Sequence, residues 1–108
     1  MKTIVSTITE KAQLLKIIAT KKSAKEYRNI DFNLKDFVVY EKGENRISAI
    51  IADDENGQEI IFSTSSNAIA DTLELIYEIF DKKDNAIRFK ITTAMSKHDR
   101  EYNVLEIL

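Results

Sequence analysis

Residues 34–63 read LKDFVVYEKGENRISAIIADDENGQEIIFS, and the two glycines of the chain, Gly43 and Gly57, divide this stretch into three apolar runs. Gly57 follows Asn56, and an Asn-Gly pair readily adopts the positive φ angles that a tight hairpin turn requires. The runs are rich in Val, Ile and aromatic residues, which predicts strands over residues 34–41, 46–52 and 58–63. We therefore expect an antiparallel meander of three strands.

A helix and a second hairpin follow the predicted meander. Residues 63–66 are Ser-Thr-Ser-Ser and offer helix N-caps, and apolar residues recur at helical spacing from Ile69 to Phe80. Residues 87–92 then alternate with a period of two, and residues 102–107 form a further apolar run beyond a polar loop. The pattern predicts an amphipathic helix and then two more strands.

The N-terminal segment, residues 8–22, predicts a second helix from about residue 10 to about residue 20. Thr7 and Glu10 have the spacing of a capping box. The predicted apolar stripe consists of Ile8, Ala12, Leu15 and Ile18 with Ala19. We expect this stripe to cover the sheet.

The order of three strands, one helix and two strands is that of the OB-fold, a five-stranded antiparallel Greek-key barrel with its helix between strands three and four. The sequence therefore predicts a mainly β, α+β chain. Its 108 residues are expected to form a single OB-fold domain with an added N-terminal helix. A different small α+β sheet with a helix on one face is the alternative.

Composition excludes most catalytic chemistry. The chain has no Cys and a single histidine, His98, so it lacks thiolate catalysis, disulfides and Cys-rich or His-rich metal sites. The consecutive acids at residues 53–55 fall in a predicted turn, and the serines near residue 65 have no base and acid spaced to activate them. We expect neither an enzyme nor a cofactor. No apolar run is long enough to span a bilayer and no signal peptide is visible, which predicts a cytoplasmic protein without membrane contact.

The net charge of −2 conceals an uneven distribution along the chain. Residues 1–30 contain seven Lys and Arg against two acids, residues 31–84 contain five against thirteen, and residues 85–108 contain four against three. Phosphate binding depends on local basic patches rather than on net charge, so a nucleic-acid ligand is compatible with this composition.

Several short motifs of residues 21–108 occur in a recognisable order. They are the run at residues 37–40 before a turn, the Asn-Gly hairpin leading into residues 62–66, the amphipathic helix, the strand at residues 87–91, the loop with Ser96 and Lys97, and residues 100–107. Together they resemble the small single-stranded-DNA-binding proteins of phages that infect Gram-positive bacteria. The resemblance implies an OB-fold that coats single-stranded DNA, without strong sequence preference, during phage or plasmid replication in the host cytoplasm. Asp99 departs from the family pattern, in which a small turn residue such as Gly is expected.

The predicted DNA-binding surface combines cations with aromatic rings, because proteins that bind single strands follow the phosphates with Lys and Arg and stack bases on aromatic side chains. Strand alternation places Arg88 and Lys90 on one face. The loops around residues 41–46 and 96–100 correspond to the two loops through which OB-folds bind oligonucleotides. The predicted contact residues are Arg88, Lys90, Lys97, Arg100, Tyr102, Tyr40, Arg46, Phe62 and Arg28.

These assignments have alternatives. Arg88 and Lys90 would also fit an ordinary solvated strand face, Lys97 and Arg100 a polar loop, and Phe62 the core. Residues 21–28 are a further candidate for DNA contact, with Tyr27 as a stacking ring. A protein-interaction module is the alternative function, in which the barrel or the apolar stripe of the N-terminal helix binds a host or replication protein.

Overall fold

Six β-strands and two α-helices make up most of the computed structural model, which describes residues 2–79 and 87–108. The elements in chain order are β1 (Lys2–Ser6), α1 (Lys11–Ile18), a 3-10 helix (Ala24–Tyr27), β2 (Asp31–Lys42), β3 (Asn45–Asp53), β4 (Glu59–Thr64), α2 (Asn67–Ile79), β5 (Arg88–Met95) and β6 (Glu101–Ile107). The three-strand meander, the helix after it and the closing hairpin are confirmed. The predicted end of α2 at Phe80 lies outside the described residues.

All six strands belong to one open antiparallel sheet. Its strand order is β4-β3-β2-β5-β6, and β1 pairs with β2 off this path. Strand β2 is long enough to pair with three strands: Asp31, Phe32 and Asn33 pair with β5, residues 38–41 pair with β1, and most of the strand pairs with β3. The prediction of a closed five-stranded barrel is wrong, because the described residues form six strands and show no pairing between β4 and β6.

Apolar side chains are buried on both faces of the sheet. One cluster lies beneath α2 and contains Phe32, Phe62, Phe89, Ile69 and Leu73. A second, smaller cluster lies beneath α1 and contains Ile8, Ile17, Val38, Tyr40, Ala49 and Ile51. Strand alternation separates the two sets, since successive residues of a strand point to opposite faces.

Helix α1 is confirmed, but its contact stripe differs from the predicted one. Ile17 is fully buried with Leu14 and Ile18 packed beside it, whereas Leu15 is 69% exposed. The predicted capping box is also wrong, because the Thr7 hydroxyl donates to the Asp36 carboxylate at 2.8 Å instead of capping the helix. The reason is that β1 pairs with β2 and Thr7 continues this pairing, with its amide donating to the Phe37 carbonyl at 3.0 Å.

Residues 22–29 run from β4, an edge strand of the sheet, to β5. The Ser63 amide donates to the Lys22 carbonyl at 2.9 Å on the β4 side, and the Asn29 amide donates to the Ile91 carbonyl at 2.8 Å on the β5 side. Between these anchors Ser23 caps the 3-10 helix in a reciprocal capping box with Glu26. Ala24 is fully buried within the cluster beneath α2. The segment thus links β4 to β5, two strands that do not pair with each other.

Both glycines have the positive φ expected at the two predicted hairpin turns, but of the Asn56-Gly57 pair only Gly57 has one. Gly43 and Gly57 have φ angles of 63° and 76°, in the left-handed region where glycine has no steric penalty. The Asp54 carboxylate accepts hydrogen bonds from the amides of Asn56 and Gln58 at 2.9 and 2.8 Å. Asp54 therefore stabilises the backbone of this turn, as side chains of this type do in turns.

One buried hydroxyl gives a stability prediction. Ser48 of β3 is fully buried, and its Oγ has no hydrogen-bond partner among the described residues. A buried polar group without a partner costs about 1–3 kcal/mol, so Ser48→Ala is expected to raise the free energy of unfolding by about 1 kcal/mol in urea titrations. Thr7→Val is the control, because the Thr7 hydroxyl is buried but bonded, and this change is expected to destabilise the protein. Equal losses in both variants would show that Ser48 has a partner.

Candidate nucleic-acid interface

The predicted basic face of β5 exists but carries little free charge. Arg88 forms an ion pair with Asp31 of the neighbouring strand at 3.0 Å. Lys90 lies between Asp31 and Glu106 in the sheet register, so an acid flanks it on each side. The two cations share a face as predicted, and acids of the adjacent strands offset their charge.

Two further predicted arginines are bound within the fold. Arg46 of β3 forms ion pairs with Asp71 and Glu74 of α2, and the pairing with Asp71 at 2.7 Å raises the pKa of its guanidinium. Arg28 donates from Nε to the Asn103 side chain at 2.9 Å and pairs with Glu101 at 3.1 Å. A phosphate would have to displace carboxylates at either residue, so we leave both out of the proposed contact set.

Tyr40 and Phe62 are buried in opposite faces of the sheet. Tyr40 is 6% exposed in the cluster beneath α1, and burial raises the pKa of its hydroxyl. Phe62 is fully buried against the rings of Tyr27 and Phe32, with centroids 5.3 and 5.8 Å away. Neither ring offers a face to a base, which removes both from the predicted stacking set.

The hairpin between β5 and β6 displays its cations at the tip. The Ser96 hydroxyl accepts hydrogen bonds from the amides of His98 and Arg100, at 3.3 and 3.2 Å, and Asp99 adopts a φ of 57°. The position that departs from the family pattern is therefore one that needs left-handed backbone, which Asp tolerates better than most residues. The side chains of Lys97 and Arg100 are exposed and have no ion pair with any residue that the structure describes.

Beside this hairpin lies a groove of about 660 Å³ between the start of α2 and β6. We call it the α2–β6 groove; it is lined by Ser23, Lys25, residues 64–68 and residues 101–103. Tyr102, which is 39% exposed, contributes its aromatic ring. Of the predicted residues, the structure thus places Tyr102 in a groove and Lys97 and Arg100 in the loop that precedes it.

The α2–β6 groove has a positive end. Helix α2 begins at Asn67 with Ser66 as its cap, since the Ser66 hydroxyl accepts from the Ile69 amide at 3.3 Å and donates to the Asn103 carbonyl at 2.5 Å. The first turn of α2 has no acid, so the partial positive charge of the helix N-terminus is not offset there. Glu101 is engaged by Arg28, whereas Lys25 is exposed and unpaired within the described chain.

Sequence reasoning missed most of this groove. Lys25 was predicted only as one of residues 21–28, a candidate for DNA contact. The groove also depends on the path of residues 22–29, for which the sequence shows no periodic pattern. The available signal was local: Ser23 and Glu26 have capping-box spacing directly after two lysines. That spacing predicts an ordered turn with Lys25 held inside it.

Comparison with known proteins gave no match to a family model, to a curated protein or to a solved structure. Across the described ranges, 2–79 and 87–108, neither helix has the length and apolar character needed to cross a membrane. The same ranges hold no cluster of three or more His, Asp or Glu side chains placed to bind a metal ion.

Proposed function

We propose that this protein binds single-stranded DNA in the α2–β6 groove, without strong sequence preference. The observation that supports the proposal best is the combination, within one groove, of the Tyr102 ring, the N-terminus of α2 and the exposed Lys25. Aromatic rings stack any base, and helix N-termini and lysines attract phosphates irrespective of sequence.

The chain order supports an OB-like architecture for this role. Strands β2, β3 and β4, then α2, then β5 and β6 follow the OB order, and we propose that the sheet is an opened relative of that fold with β1 and α1 added. The resemblance of its motifs to phage single-stranded-DNA-binding proteins supports a role in coating strands during phage or plasmid replication. Replication proteins are the proposed partners.

The alternative, a protein-interaction module acting through the apolar stripe of α1, receives less support. Ile17 of that helix is fully buried against the sheet, with Leu14 and Ile18 packed beside it. A partner would have to detach α1 before it could reach these side chains, whereas Leu15 of the predicted stripe is 69% exposed.

A salt titration tests the proposed function. Lys21, Lys22, Lys25, Lys97 and Arg100 are exposed cations of residues 21–25 and of the β5–β6 loop, and none of them has an ion pair within the described residues. Four or five phosphate contacts give a slope of log K against log salt of about −3, at about −0.7 per contact. We expect that slope for labelled oligo-dT in fluorescence anisotropy, together with weaker binding of a duplex of equal length. Absence of binding at low salt, or a flat salt response, would refute the proposal.

Charge reversal at the hairpin locates the binding surface. Lys97→Glu with Arg100→Glu is expected to weaken oligo-dT binding at low salt and to make the slope shallower by about 1.4. Lys11→Glu with Lys16→Glu is the matched control, since both lysines are exposed on α1 and neither lines the α2–β6 groove. Equal losses in the two double variants would mean that only net charge matters.

A further inference from the structure

A second groove runs along the free edge of β4. It has a volume of about 470 Å³ and lies between Thr20, Lys21, Lys22 and Tyr27 on one side and residues 58–61 on the other. We call it the β4 groove. The Thr20 hydroxyl fixes one wall by donating to the Ile61 carbonyl at 3.3 Å.

The charge of the β4 groove is positive. Lys21 and Lys22 are exposed and have no ion pair within the described residues, and the Lys22 Nζ lies 6.0 Å from the centroid of the Tyr27 ring. The acid in the groove, Glu59, is engaged by Lys35 at 2.9 Å. Two exposed lysines beside a half-buried aromatic ring are a suitable surface for an anionic chain that also carries flat bases.

The residues that line the two grooves are adjacent in the sequence. Lys22 lines the β4 groove and Ser23 lines the α2–β6 groove, so one peptide bond separates their walls. The same junction is tied to β4 by the hydrogen bond from the Ser63 amide to the Lys22 carbonyl. Along β4, residues 58–64 extend for about 20 Å at about 3.3 Å per residue. The residues that line the two grooves are therefore contiguous at Lys22 and Ser23, and both grooves have lining residues along residues 58–64.

We propose that the β4 groove is a second nucleic-acid subsite, and that one DNA strand occupies both grooves in succession by passing over Lys22 and Ser23. This inference rests on the proposed function, because it extends the bound strand from the α2–β6 groove. In this proposal, Lys21 and Lys22 contact phosphates of a DNA strand that is too long to fit in the α2–β6 groove alone.

Binding of oligonucleotides of two lengths distinguishes the two subsites. Two labelled oligo-dT strands are used, of about 4 and about 16 nucleotides, which are the limits of the site sizes found for OB-folds. Each strand is titrated against the unmodified protein and against the Lys21→Glu, Lys22→Glu double variant. We expect the long strand to bind the variant at least about tenfold more weakly at 0.1 M salt, with a slope reduced by about 1.4. The short strand, held in the α2–β6 groove, is expected to lose less than about threefold.

Controls make the outcomes distinct. The Lys11→Glu with Lys16→Glu variant has the same net charge, and Lys21→Gln with Lys22→Gln is expected to show part of the same loss without reversing charge. Two outcomes would overturn the second subsite alone. One is an equal loss of affinity in the variants at residues 21 and 22 and at residues 11 and 16. The other is an equal loss for short and long strands in the variant at residues 21 and 22. Absence of oligo-dT binding by the unmodified protein would instead refute the proposed function itself.

Discussion

Phe62→Ala is expected to lower the free energy of unfolding by about 3–5 kcal/mol, the usual cost of removing a large buried ring. Phe62 is fully buried and packs against Tyr27 and Phe32. The loss is large beside the total stability of about 5–15 kcal/mol that small domains have. Urea denaturation followed by circular dichroism measures it directly.

Phe62→Leu is the companion variant, because it keeps most of the buried volume and is expected to cost much less than the alanine change. The leucine variant is expected to remain folded and to bind oligo-dT within twofold of the unmodified protein. A stable alanine variant with lost DNA affinity would contradict the structure and return Phe62 to the DNA-binding surface.

Local patterns predicted the secondary structure where the signal lay within a few residues. The glycines at 43 and 57 adopt positive φ angles at the two predicted turns, and Ser66 caps α2 within the predicted cluster of caps. Strand β1 was missed because Lys2–Ser6 is short and finds its partner more than thirty positions away in β2, opposite residues 38–41. The burial of Tyr40 was missed for a different reason: its ring lies on the face of the sheet that α1 covers, in the cluster with Ile8 and Ile17.

Strand parity predicted which side chains share a face but not what lies beside them. Arg88 and Lys90 do lie on one face of β5, yet Asp31 flanks them through a register that no single strand encodes. Arg46 is a stronger case, because its acids on α2 are 25 and 28 positions away. The sequence does not show whether a Lys or Arg side chain is exposed or held in an ion pair, because the acid that binds it can lie far away in the chain.

Tyr102 shows what parity can predict about a site. Its neighbour across the hairpin is Ala94, and Val104 and Glu106 follow on the same face of β6, so the alternation correctly indicated a ring outside the main core. Its position in the α2–β6 groove depends on Ser23 and Lys25, which no strand pattern places there. The prediction that this ring stacks a base still needs a binding measurement.

Tyr102→Ala is expected to weaken oligo-dT binding by about 1–3 kcal/mol, or about 5-fold to 150-fold, because one stacked base contributes that much. Stability is expected to change little, since the ring is 39% exposed. Fluorescence anisotropy with labelled oligo-dT measures the affinity, and thermal unfolding confirms the fold.

Two matched variants separate stacking from other effects of the substitution. Tyr102→Phe keeps the ring and is expected to bind within about twofold of the unmodified protein, because stacking uses the π-face rather than the hydroxyl. Tyr77→Ala removes a ring of similar exposure, 44%, from α2 outside both grooves and is expected to leave affinity unchanged. If Tyr102→Phe binds as weakly as Tyr102→Ala, the contact is a hydrogen bond from the hydroxyl. If Tyr77→Ala loses as much affinity as Tyr102→Ala, DNA does not bind preferentially in the α2–β6 groove, and the aromatic contribution belongs to the surface as a whole.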